Sequence, residues 1–89
     1  MLKNRLLIVN KLGLHARAAS KFAQTSARFE ADIRVHCRGK SVDGKSVMAL
    51  MLLAAAKGTE LELEVCGADE DVALAAISSL VTDRFGEAE

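Results

Sequence analysis

The chain has 89 residues, enough for one small domain spanning residues 1–89 and too few for a second. Apolar residues make up 51% of it and charged residues 27%, a balance typical of a globular domain and not of a disordered or fibrous chain. Twelve basic residues balance twelve acidic ones, so the chain has no basic excess with which to bind nucleic acid or an anionic membrane surface.

The first half of the chain contains one predicted helix and three predicted strands. Leu2 to Val9 suits a strand, and a turn from Asn10 to Leu14 leads to an alanine-rich helix over Ala16 to Ala27. Clean alternation of apolar and polar residues predicts a strand over Asp32 to Cys37, which a hairpin turn joins to a short strand over Ser41 to Asp43.

The second half contains two predicted helices with one strand between them. Ser46 is placed as the N-cap of a helix over Val47 to Ala56, which Lys57 and Gly58 close. Glu60 to Val65 alternates between glutamates and apolar residues, the pattern of a strand with one solvated face. A last helix follows Gly67, with acidic residues at its positive end.

The resulting order is β-α-β-β-α-β-α, an α/β (α+β) fold. Each predicted strand has one polar face, so we expect a four-stranded antiparallel sheet that is solvated on one side. Three helices must cover the other side, which predicts an open-faced β-sandwich. The longest apolar run has about half of the ~20 residues that a membrane helix requires, so we expect no membrane insertion and a cytoplasmic protein.

His15 is the strongest candidate for chemistry, because it lies between a glycine turn and the start of a helix. Unpaired N–H groups and the positive end of the helix dipole favour an anion at this position. The backbone of Ala16 and Arg17 and the guanidinium of Arg17 could stabilise the oxygens of a phosphoryl group. A neutral imidazole there is a suitable nucleophile, so this arrangement indicates a phosphoryl acceptor, although spacing alone leaves a simple helix cap open.

Two segments resemble the signatures of the HPr family, the histidine phosphocarriers of the bacterial phosphoenolpyruvate-dependent phosphotransferase system. Asn10 to Arg17 is similar to that family's active-site signature, and Gly44 to Met48 is similar to its serine-site signature. The resemblance covers essentially the whole chain. The stretches NKLGLHAR and AAAKG look closer to the nitrogen-branch form, often called NPr, than to the sugar-uptake form.

The resemblance implies a phosphocarrier and not a stand-alone enzyme. His15 would receive the phosphoryl group on Nδ1 from phosphorylated Enzyme I, and Arg17 would stabilise it. The group would then pass to an enzyme IIA-type domain, and a carrier that docks two partners in turn is expected to be a monomer. Many family members carry proline where Ala18 stands here, and because alanine is a good helix former we expect the helix to persist.

Ser46 has two roles in this interpretation. As a helix N-cap it should contribute about 1 kcal/mol to stability. The family resemblance implies that it is also a regulatory site for an HPr kinase/phosphorylase. A phosphate there would add about −1.5 to −2 charges and repel acidic partners.

The predicted helix after Ser46 is apolar nearly all round, which indicates a partner-binding face. Leu50, Leu53 and Ala54 are expected to face the sheet. The remaining apolar residues are candidates for exposure and partner binding: Val47, Met48, Met51 and Leu52. The family docks through this helix and the one after the active histidine, which adds Ser20 and Gln24 to the expected footprint.

Other reactive residue types carry less weight. Cys37 and Cys66 form no CxxC pair and lie on predicted strands, so we expect reduced thiols. His36 and the glutamates of the fourth strand point to solvent, and we expect no metal and no cofactor.

Two alternatives to a carrier stay open: a regulatory binding module acting through Ser46 and the apolar helix, and a plain interaction domain in which His15 is only a cap.

Overall fold

A computed structural model describes all residues from Met1 to Glu89. The elements are β1 (Leu2–Leu7), α1 (Ala16–Ala27), β2 (Asp32–Cys37), β3 (Lys40–Asp43), α2 (Val47–Leu52), β4 (Glu60–Cys66) and α3 (Glu70–Thr82), followed by a 3₁₀ turn at Arg84–Gly86. This confirms the predicted order of strands and helices. None of the helices has the length and apolar character needed to cross a membrane.

The four strands form one antiparallel sheet in the order β1-β4-β2-β3. Alternation along β2 buries Ile33, Val35 and Cys37 and leaves Arg34 exposed, as the sequence pattern predicts. The helices cover the buried face, where Phe22 of α1 and Ile77 of α3 have no exposed surface. The fold is therefore the expected open-faced sandwich, with the core between one sheet and one layer of helices.

The strand boundaries differ from prediction by one or two residues. The first strand ends at Leu7, before the predicted Val9, because the next two backbone bonds of this segment go to the loop before β4: the Ile8 N–H donates to the Thr59 carbonyl at 2.9 Å and the Gly58 N–H donates to the Ile8 carbonyl at 2.7 Å. The third strand begins one residue early, at Lys40, and the fourth ends one residue late, at Cys66.

The second helix is much shorter than predicted and ends at Leu52 instead of Ala56. The N–H groups of Leu53 and Ala54 bond to carbonyls three residues back, and Ala54 adopts a left-handed φ of +51°. The Arg38 guanidinium donates to the Leu53 carbonyl at 2.6 Å. It thus takes the place of the backbone N–H that would donate to this carbonyl if the helix continued. As a consequence Ala54 is exposed instead of facing the sheet, and Ala55 is buried in its place.

Candidate functional site

His15 is the N-cap of α1, with an extended backbone (φ −76°, ψ −179°). Its ring folds back over the helix end, where Nδ1 accepts a hydrogen bond from the Arg17 N–H at 3.3 Å. The side chain is 27% exposed, so the ring faces solvent on one side. The side chain therefore lies where the sequence predicted it, at the positive end of a helix and open to an approaching group.

The turn before His15 is held in place by buried contacts. Asn10 is fully buried and donates from Nδ2 to the Gly13 carbonyl at 2.7 Å. The Leu14 N–H donates to the Ala55 carbonyl at 2.8 Å, and the Leu14 side chain is buried. These contacts fix the backbone that presents the His15 ring, and the role of Asn10 was not predicted from the sequence.

The opposite side of the ring contacts Glu87, a residue that sequence reasoning missed. The His15 Nε2 lies 2.5 Å from Oε2 of Glu87, and Asn10 Nδ2 donates to the other carboxylate oxygen at 3.1 Å. Desolvation acts to raise the pKa of Glu87, but the hydrogen bonds from His15 and Asn10, with the nearby charge of Lys21, outweigh it and leave the pKa below its usual value. No sequence pattern near Glu87 indicates this role, because only the tertiary fold brings Glu87 into contact with His15.

A shallow recess opens in front of the ring, between the turn, α1 and the chain after α3. Three cationic side chains line it. Lys21 donates to the Phe85 carbonyl at 2.7 Å, and Lys11 pairs with Glu89 at 3.3 Å. Arg17 is exposed and makes no side-chain hydrogen bond or ion pair within the chain, so its guanidinium is free to bind an anion beside His15.

The first turn of α1 offers further donors. The N–H groups of Ala16 and Ala18 make no hydrogen bond within the chain, while the Ala19 N–H already bonds to the His15 carbonyl at 2.8 Å. Ala18 itself is fully buried, and α1 forms as expected without the proline that many family members carry here. Backbone donors and a guanidinium thus surround the ring at one helix end.

Ser46 caps α2, since its Oγ accepts a hydrogen bond from the Ala49 N–H at 3.2 Å. Beyond it three apolar side chains lie open to solvent, with exposed fractions of 76% for Met48, 44% for Met51 and 72% for Leu52. Val47 is different, because it is half-buried and packs against the core. Leu12 in the turn before His15 is 68% exposed and adds a further apolar side chain to the exposed surface.

The two α1 residues of the expected footprint lie one turn apart. Gln24 is exposed and donates to the hydroxyl of the half-buried Ser20 at 3.3 Å.

The second histidine lies elsewhere, on the solvent face of the sheet, where His36 Nε2 is 3.2 Å from Oε1 of Glu64. Cys37 is buried and Cys66 exposed, both as free thiols, and no group of three or more metal-ligating side chains comes together.

Comparison with known protein families shows the family to which this chain belongs. The family model described as the PTS HPr component phosphorylation site matches residues 2–83. The chain belongs to the HPr family. Membership in this family of phosphocarriers implies histidine phosphotransfer between Enzyme I and enzyme IIA-type domains.

Relatives and solved structures agree with this membership. The phosphocarrier protein HPr of Neisseria meningitidis serogroup B is 53% identical over the whole of both chains, and that of Pseudomonas aeruginosa is 52% identical over 94% of each. The crystal structure of HPr-C-His from Thermoanaerobacter tengcongensis matches the whole of both chains with a TM-score of 0.96 and 38% identity. An HPr from Bacillus anthracis matches 90% of this chain and 95% of its own with a TM-score of 0.86 and 38% identity.

Proposed function

We propose that the Nδ1 atom of His15 carries the phosphoryl group that this HPr-family chain receives from Enzyme I and passes to an enzyme IIA-type domain. The observation that supports this choice of atom is the orientation of the ring. Nδ1 lies over the N-terminus of α1, where the Arg17 N–H reaches it, while Nε2 is turned away toward Glu87. An incoming phosphoryl group at Nδ1 therefore meets the positive end of the helix.

The chemistry follows from the groups around that atom. The lone pair of Nδ1 forms a bond to phosphorus, and the bond between phosphorus and the donor protein breaks with its electron pair going to the donor. The Arg17 N–H, freed from Nδ1, and the unpaired Ala16 N–H can then donate to phosphoryl oxygens. The Arg17 guanidinium supplies a charge-assisted hydrogen bond, and the reverse transfer regenerates the free ring.

The proposal makes the chain a substrate-like carrier and not a stand-alone enzyme. The recess at His15 is open, so a partner must supply the rest of the reaction site and exclude water. The exposed side chains of Met48, Met51 and Leu52 are the proposed docking contacts, together with Ser20 and Gln24 of α1. A monomer in the cytoplasm that docks each partner in turn is part of the same proposal.

Phosphorylation with phosphoenolpyruvate and Enzyme I tests the assignment. We expect one acid-labile, base-stable phosphoryl group per chain, attached to Nδ1 as identified by phosphorus-31 and nitrogen-15 NMR. His15→Ala should abolish it, and His36→Ala, which removes the partly exposed histidine of the sheet face, should leave it intact. Label that persists in His15→Ala, or wild-type protein that takes up no label, would contradict the proposal and favour a binding module.

Arg17 has a separate expected effect on the rate. Arg17→Ala should slow phosphorylation by about 10²–10³-fold, the usual cost of removing one donor to a developing charge, with the fold unchanged because the side chain is exposed and unpaired. Arg28→Ala is the matched control, since Arg28 is an exposed arginine at the other end of α1. Equal rates for the two variants would exclude a role for the Arg17 guanidinium.

We also propose Ser46 as a regulatory phosphorylation site for an HPr kinase/phosphorylase. Its hydroxyl lies at the start of α2, two residues before the exposed Met48. A phosphate there would add about −1.5 to −2 charges beside the apolar docking residues and weaken binding of acidic partners. Incubation with ATP and the kinase should give acid-stable label in the wild type and none in Ser46→Ala, and label in that variant would refute the site.

A further inference from the structure

The chain after α3 turns back toward the start of α1. Phe85 is fully buried with a left-handed φ of +55°, so this reversal is maintained by the burial of its ring. Lys21 of α1 donates to the Phe85 carbonyl at 2.7 Å, and the Glu87 N–H donates to the Arg84 carbonyl at 2.9 Å. These contacts bring the side chain of Glu87 against the His15 ring.

Both oxygens of the Glu87 carboxylate have defined partners there. One lies 2.5 Å from His15 Nε2, and the other accepts a hydrogen bond from Asn10 at 3.1 Å. Asn10 is fully buried and also bonded to the Gly13 carbonyl at 2.7 Å, so it belongs to the rigid part of the turn. The Glu87 side chain is 15% exposed, which keeps the pair largely shielded from solvent. The carboxylate is therefore oriented by the fold before any partner binds.

The hydrogen bonds at Nε2 and at Nδ1 both require the same neutral tautomer of the His15 ring. An ionised carboxylate can only accept, so Nε2 must carry the proton that is shared with Glu87. Nδ1 accepts from the Arg17 N–H, so it must carry none. Together Glu87 and the helix end select the tautomer whose free lone pair lies on Nδ1.

We infer that Glu87 is a positioning residue for phosphotransfer, which holds the His15 ring with its proton on Nε2 and balances the ring's charge once Nδ1 is phosphorylated. This inference rests on the proposed phosphorylation of Nδ1. When Nδ1 bonds to phosphorus and the donor keeps the electron pair, the ring retains its Nε2 proton and gains a positive charge. The Glu87 carboxylate is the adjacent counter-charge, so no proton has to leave or arrive in either transfer.

The tautomer is tested first, in the unphosphorylated protein, from the nitrogen-15 chemical shifts of the His15 ring. Glu87→Ala removes the acceptor and should give a mixture of the two neutral tautomers, whereas Glu87→Gln retains an acceptor oxygen and should keep the proton mainly on Nε2. Glu89→Ala is the matched control, because Glu89 belongs to the same segment and pairs with Lys11 instead of His15. An unchanged tautomer in Glu87→Ala would overturn the inference.

The rate of phosphorylation by Enzyme I is the second readout. We expect Glu87→Ala to slow it by about 10–100-fold, as the loss of a histidine-orienting carboxylate commonly does, with Glu89→Ala near the wild-type rate. Wild-type rates in Glu87→Ala would refute the inference while leaving His15 as the phosphorylated residue. Failure of the wild type to accept a phosphoryl group would instead refute the proposed function, and the tautomer measurement would still stand by itself.

Discussion

The carbonyl oxygen of Ala55 accepts a hydrogen bond from the N–H of Leu14 at 2.8 Å and thereby joins the histidine turn to the segment that follows α2. The approach is close enough that a Cβ built on Gly13 would lie 2.5 Å from the same oxygen. The turn that presents His15 thus depends on a loop about 40 residues away in sequence, and the geometry around His15 is coupled to the segment that follows α2.

Gly13→Ala should destabilise the protein by about 1–3 kcal/mol and displace the histidine turn. The cause is twofold, since φ is +69° and the added methyl group would collide with the Ala55 carbonyl. Gly39→Ala has the strain without the collision, because φ is +82° and nothing lies within 4 Å of the added carbon. Urea unfolding of both variants measures the difference. Equal losses in the free energy of unfolding would show that the collision does not contribute to the destabilisation.

Ser46→Ala should lower the free energy of unfolding by about 1 kcal/mol, because it leaves the Ala49 N–H without its capping acceptor. Ser46→Asp keeps an acceptor at the helix start and should retain most of the stability. The matched control is Ser79→Ala, since the Ser79 hydroxyl is exposed on α3 and makes no hydrogen bond. Its unfolding energy should change by less than about 0.5 kcal/mol. Identical effects at the two positions would argue against a stabilising cap.

Ala18→Pro should leave the fold intact and change the free energy of unfolding by less than about 1 kcal/mol. The Ala18 N–H makes no hydrogen bond within the chain, and the first turn of a helix tolerates proline. Ala19→Pro, one residue further along, deletes the bond to the His15 carbonyl and should cost about 3 kcal/mol. Thermal unfolding distinguishes the two, and a large loss for Ala18→Pro would mean that the buried surroundings of Ala18 or its backbone conformation do not accommodate the proline ring.

Asp69 links the start of α3 to the loop before β2, and its contribution to the stability of the fold should depend on pH. Hydrogen bonds from the Glu30 N–H, and also from the Ala31 N–H, hold the pKa of Asp69 below the usual 3.8 despite some desolvation. A carboxyl with a lowered pKa stabilises the fold fully above its unfolded pKa, and this stabilisation is lost as the pH falls through the folded value. Asp69→Asn should therefore lower the urea midpoint more at about pH 6 than at about pH 3.

The control for this variant is Asp71→Asn, which removes a carboxylate from the same helix end. Asp71 is exposed and accepts no hydrogen bond, so its replacement should change the urea midpoint little at either pH. A deficit in Asp69→Asn that stays constant between the two pH values would show that ionisation of Asp69 does not contribute. The comparison therefore separates the paired carboxylate from the general effect of charge at a helix N-terminus.

Much of the fold was predictable because its signals are local. Apolar alternation marks β2 to the residue, and the alanine-rich stretch from Ala16 predicts α1 with both ends correct. The N-cap roles of His15 and Ser46 follow from residue type and position beside a helix. The order of these elements restricts a chain of this length to one layer of helices on one sheet.

The tertiary structure alone decided the features that depend on distant residues. The second helix ends early because Arg38, from the β2–β3 turn, donates a hydrogen bond to the Leu53 carbonyl. The apolar periodicity of the helix sequence does not indicate that contact. In the same way Glu87 reaches His15 across 72 residues of sequence. Periodicity and capping express interactions between near neighbours, whereas the partners of the histidine ring are brought together only when the sheet and helices pack.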